Sequence, residues 1–121
     1  MMMLLDNEVN RILVEAEDSS ISIRQLYELY RKQTSKYSLS FICKRSGIPS
    51  KGYFSFVMSG DRRLNSKYWT ALLDVFKLND DQAEVMYLLL ERDAEPLKRR
   101  YYDERIASFR TRLTKENDCA I

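Results

Sequence analysis

Histidine is absent from this sequence of 121 residues, which removes the commonest general base, the usual partner of a nucleophilic hydroxyl or thiol, and the commonest metal ligand. Carboxylates remain, but none are grouped in a way that suggests acid–base work, and no glycine-rich phosphate loop is present. The expectation is a protein that is not an enzyme and has no metal or cofactor. Glycine (three) and proline (two) are scarce, whereas sheet-rich domains of this size need more turn residues, so the chain reads as mainly helical. The two cysteines, Cys43 in an apolar helical pattern and Cys119 in the tail, show no paired spacing, which argues against a disulfide framework or a zinc site. No apolar run approaches the ~20 residues that span a bilayer. The opening MMMLLDNEVNR has neither a basic leading region nor a small-residue cleavage site. The reading is a cytoplasmic protein with no membrane partner.

What is present suffices for a core. Apolar residues make up 45% of the chain, including Trp69, eight tyrosines and five phenylalanines. The length bounds this to one domain with an added arm. The formal net charge of +2 hides a pattern: residues 1–23 carry −4, 24–67 carry +8, 68–95 carry −5 and 96–121 carry +3. The positive stretch would attract a polyanion, since phosphate neutralisation supplies most non-specific DNA affinity; a solvated basic face is the plainer alternative.

That stretch contains residues 37–64, YSLSFICKRSGIPSKGYFSFVMSGDRRL, which read as two short helices, a tight turn between them and a basic loop after. Ser38 caps a first helix ending at Arg45 or Ser46, with Leu39, Ile42 and Cys43 inward and Phe41 beside them. Cys43 is small enough for a steep helix crossing. Gly47 permits the positive φ of a tight turn, Ile48 returns to the core, and Pro49 leads into a helix capped by Ser50. In that second helix Tyr53, Phe56 and Val57 form the inward face. Ser50, Lys51, Gly52, Phe54, Ser55 and Met58 are left outward or lateral; a phase one residue different would bury Phe54 instead. The outer face has no acidic residue, and serine, lysine and an exposed aromatic can each touch base edges. Gly60 stops the helix, Arg62 and Arg63 stand where a following loop meets a sugar-phosphate backbone, and Leu64 turns back in.

The flanks read as helices too. Residues 5–17 carry a stripe of Val9, Ile12, Leu13 and Ala16. Ser22, with Gln25 completing a capping box, starts a helix over 22–36 whose inner face is Ile23, Leu26, Tyr27 and Tyr30. Arg31, Lys32 and Lys36 suit its C-terminal dipole and equally suit phosphate. Ser66 caps a helix through Phe76 with Trp69 at the centre of the core. Asn79 or Asp80 caps a fifth helix bearing Ala83, Met86, Tyr87, Leu89 and Leu90. Pro96 opens a last helix with a stripe of Tyr102, Ile106, Phe109 and Leu113; the stripe can pack on the domain, join two copies or bind another protein.

On these residues the chain resembles the lambda-repressor/Cro-like helix-turn-helix superfamily. The resemblance runs over about residues 22–91 and rests on small Cys43, Gly47 in the turn, Ile48 after it, Tyr53 and Phe56 as buried aromatics, and Gly60 closing the second motif helix. With Tyr27 and Tyr30 ahead of the motif and the element Ser59 to Leu64 behind it, the pattern is most similar to a bacterial helix-turn-helix family that usually carries a longer C-terminal region. Cys43 departs from the more usual alanine, and the second motif helix is one residue longer than the commonest spacing.

The resemblance implies an all-α, compact five-helix DNA-binding domain over residues 21–93, with an N-terminal helical arm (1–20) and an added C-terminal amphipathic helix and tail (94–121). Its function would be sequence-specific transcriptional regulation through double-stranded DNA, with the motif at 38–60 and the recognition helix at about 50–59. Ser50, Lys51, Gly52, Phe54 and Ser55 would face bases; Ser38, Ser40, Lys44, Arg62, Arg63 and Lys67 would hold the backbone. A homodimer would form through Tyr102, Ile106, Phe109 and Leu113. The alternative is an adaptor that keeps the fold and binds a protein partner without reading DNA.

Overall fold

The structure is a computed structural model that describes residues 2–119, with side chains from Leu5 to Lys115. Ala120 and Ile121, part of the expected tail, lie outside the described residues. The fold is all-α: among the described residues there are seven helices and no strand. They are α1 (Met2–Glu15), α2 (Ser19–Gln33), α3 (Leu39–Ser46), α4 (Lys51–Ser59), α5 (Trp69–Val75), α6 (Asp80–Ala94) and α7 (Arg99–Cys119). Short 3-10 turns at Ser66–Tyr68 and Pro96–Lys98 lead into α5 and α7.

Two compact units are formed, one from Ser20–Leu78 and one from residues 1–19 with 79–121. This partition differs from the expected division at 21–93, because α6 packs with α1 and α7. Its apolar positions run on three sides of one turn (Val85, Met86, Leu88, Leu89 and Leu90 are all buried), a wider face than one neighbour covers.

In the three-helix unit, α1 contributes buried Val9 and Leu13 and half-buried Ile12, and Ala16, just past its end, is buried too. The capping box that starts α6 is complete: Asn79 Oδ1 accepts from Gln82 N (2.9 Å) and Gln82 Oε1 accepts from Asn79 N (3.0 Å). The buried Gln82 also donates from Nε2 to Asn10 Oδ1 (2.8 Å), so neither amide is buried unpaired. The carbonyls a helix leaves open at its C-terminus are met at α1 by arginines. Arg110 donates to Leu13 O (2.9 Å) and Ala16 O, and buried Arg92 donates to Glu17 O and to Asp103 Oδ1 (2.8 Å).

The α7 stripe is used inside the chain. Tyr102, Ile106 and Leu113 are buried, Phe109 is half-buried, and α7 packs on α6 and α1. These four residues therefore offer a second copy no free apolar seam, a correction to the expected dimer interface. Tyr102 is held further by donating its hydroxyl to the Glu95 carboxylate, which keeps Glu95 below the usual carboxylate range and pushes the phenol up to about 12.

In the Ser20–Leu78 unit, aromatic rings link the helices. Tyr30 meets Tyr37 and Phe76 edge-on, with centroids 5.0 and 5.2 Å away, and Tyr37 meets Phe41 at 5.4 Å. The hydroxyls of Tyr30 and Tyr37 donate to the carbonyls of Phe76 and Val75 at the end of α5. Three expectations for these helices are corrected. The helix of Ser22 begins at Ser19, so Ser22 is a buried interior residue and no cap. Ser19 instead donates to the Asp93 carboxylate (N···O 3.0 Å). Asn65, not Ser66, caps the turn before α5, accepting from Lys67 N at 3.1 Å. Trp69 is half-buried, not central, because its indole N–H reaches out to Leu64 O (2.9 Å); Leu72, Leu73 and Phe76 fill the core behind it.

Candidate nucleic-acid interface

The α3–turn–α4 segment forms as its capping residues dictate. Ser38 Oγ accepts from Phe41 N and Ser50 Oγ from Tyr53 N, both at 3.1 Å. Gly47 (φ 80°) and Gly60 (φ 86°) take the left-handed conformation that ends each helix. Where the helices approach, Cys43 is buried and its thiol points to Ser50 O (3.8 Å). Burial pushes that thiol up, while the charge of Lys51 opposes the shift.

The phase of α4 differs from expectation by one residue. Phe54, Val57 and Met58 are its buried positions, and Phe54 sits edge-on to Tyr27 with centroids 6.4 Å apart. Phe54, expected to face bases, has no exposed surface; Phe56, expected inside, is 52% exposed. Tyr53 is half-buried because its hydroxyl is engaged at the rim: it donates to Arg63 O and accepts from Asn65 N, each at 2.9 Å. Both triplets, 53/56/57 and 54/57/58, fit a helical face, and only the second lets the tyrosine hydroxyl reach a polar loop.

Ser50, Lys51, Gly52 and Ser55 are exposed as expected, and the outer face continues through Phe56 and Ser59. A Cβ added at Gly52 would meet nothing closer than Ser50 Oγ at 4.0 Å, so no packing within the chain requires glycine there. Ser38, Ser40, Lys44, Arg62, Arg63 and Lys67 are likewise exposed.

The loop bearing Arg62 and Arg63 is pinned at both ends. Phe56 O accepts from Asp61 N (2.9 Å) and Arg62 N (3.2 Å), Ser59 Oγ donates to Asp61 Oδ2 (2.8 Å), and Tyr53 holds Arg63 and Asn65. The two guanidinium groups thus project from a backbone of defined path beside the C-terminus of α4.

A concavity of about 680 Å³ opens at the other end of α4, where Lys51 meets Ser38 and Ser40 of the α3 start and Arg31, Lys32 and Ser35 from the end of α2. The sequence leaves Arg31 and Lys32 with two equal roles and gives Ser35 none. Their convergence with the α3 start depends on the packing angle of α2, which no local pattern records. The Ser20–Leu78 unit carries eleven basic and three acidic residues, net +8, and the three-helix unit nine and fifteen, net −6.

Among the described residues no group of three or more histidines, cysteines or carboxylates is placed to hold a metal ion, and no helix is long and apolar enough to cross a membrane. Comparison with family models, with curated proteins and with solved structures returns no match.

Proposed function

We propose that this chain is a sequence-specific DNA-binding protein of the helix-turn-helix kind, acting as a regulator of transcription, with α4 as the recognition helix. The observation that carries the reading is the outer face of α4: Lys51, Gly52, Ser55, Phe56 and Ser59 stand exposed without a carboxylate, between the basic concavity and the pinned arginine pair. Serine and lysine can bond base edges in a major groove, and an aromatic edge can touch a thymine methyl. Arg62, Arg63, Lys44 and Lys67 would hold phosphates on either side. The helix order α2 to α5, with Gly47 in the turn, fits the resemblance to lambda-repressor-like domains.

The test is selection from a random pool of double-stranded DNA. Enrichment of a defined motif is expected, and loss of that enrichment in Lys51→Ala with Ser55→Ala. Two half-sites about one DNA turn apart would indicate a dimer on DNA. Absence of any enrichment at low salt would overturn the reading. One observation favours the adaptor alternative: Phe56, large and 52% exposed, lies on the same face, as a protein-binding surface would require.

A further inference from the structure

We infer that the concavity between α2, α3 and α4 is a site for a phosphate ester, with Lys51, at the start of α4, among its ligands. Three cations, Arg31, Lys32 and Lys51, come to it from two separate helices, and three hydroxyls, Ser35, Ser38 and Ser40, stand among them. Among the described residues no carboxylate lines it. Arg31 is steadied over the floor: its Nη1 lies 3.4 Å from Tyr27 Oη and its guanidinium carbon 5.9 Å from the centre of that ring. The starts of both α3 and α4 open here, and helix starts present unpaired N–H groups to an anion. Hydroxyls and N–H groups with cations and without competing carboxylate match the oxygens of a phosphate.

Two sources share this chemistry: a phosphodiester of the DNA backbone and a free phosphate ester such as a nucleotide. For the first the inference rests on the DNA-binding reading; for the second it stands without it.

The experiment uses the full chain, wild type against Arg31→Gln with Lys32→Gln and Lys51→Gln. All three side chains are exposed, and thermal unfolding followed by Trp69 fluorescence checks that the variant folds. Arg24→Gln, an exposed cation outside the concavity, is the control. In the first arm, pyrophosphate and ADP are titrated calorimetrically at low salt. A saturable site weakened at least ~10-fold in the triple variant and kept in the control assigns a free phosphate ester. In the second arm, the salt dependence of DNA affinity is measured. A slope of log K against log salt that falls by about one for each phosphate released, in the triple variant only, assigns a backbone phosphate. DNA binding with an unchanged slope, together with no pyrophosphate or ADP binding, overturns the inference and leaves the DNA reading intact. Pyrophosphate binding without any DNA affinity supports the inference and removes the DNA reading.

Discussion

Phe54 and Phe56 differ by two positions and by nearly everything else. Phe54 is fully enclosed and edge-on to Tyr27, so truncation removes a large buried ring and leaves a cavity. Phe54→Ala is expected to cost about 3–5 kcal/mol in chemical denaturation. Phe56→Ala should stay within about 0.5 kcal/mol, as exposed substitutions do. Reversal of that order would show that the phase of α4 is set differently in solution. Tyr53 illustrates a residue whose role is half legible in the sequence. Its apolar ring belongs to any inward face, but its hydroxyl bridges Arg63 O and Asn65 N, partners ten and twelve residues on that a local pattern cannot assign. Cys43 is legible as a small residue at a crossing, and its buried thiol needs no other explanation.

At the scale of elements, α7 is the clearest case of a stripe with several possible occupants. Its period of three and four requires burial without naming the partner, and in the structure the neighbours are α1 and α6. Leu113→Ala is expected to lower stability by about 2–5 kcal/mol in denaturant unfolding, with Arg100→Ala near neutral because its ion pair with Glu104 (3.7 Å) is exposed. A dimer seam would behave otherwise: Leu113→Ala would leave a monomer as stable as before and lower the mass measured by light scattering. The helix ends are legible wherever a capping side chain acts on its own helix, as at Ser38, Ser50 and Asn79. They are illegible at α2, where Ser22 has a cap's composition but is buried inside a helix that starts one turn earlier.

At the scale of the whole molecule the division of charge is the dominant feature. A net +8 on one unit and −6 on the other make the Ser20–Leu78 unit the more favourable of the two for a polyanion. On the proposed DNA-binding function, affinity should therefore fall steeply with added salt. Arg62→Ala with Arg63→Ala should flatten that dependence by up to about two units of slope, one for each phosphate left unneutralised, in filter-binding or anisotropy titrations. An unchanged slope in the double variant would remove the arginine pair from the interface.

The sequence by itself determined the helical class, the turns at Gly47 and Gly60, the caps at Ser38, Ser50 and Asn79, and the basic character of the middle segment. Each of these depends on neighbours within a few residues: a positive φ, a hydroxyl or amide reaching an N–H in the next turn, a run of like charge. Only the tertiary structure decided which of two equivalent phases of α4 is inward, that α6 joins α1 and α7, that the α7 stripe is covered, and that Arg31, Lys32 and Lys51 converge on one concavity. A helical period specifies that a face is buried; the angle and partner at which it is buried come from side chains tens of residues away.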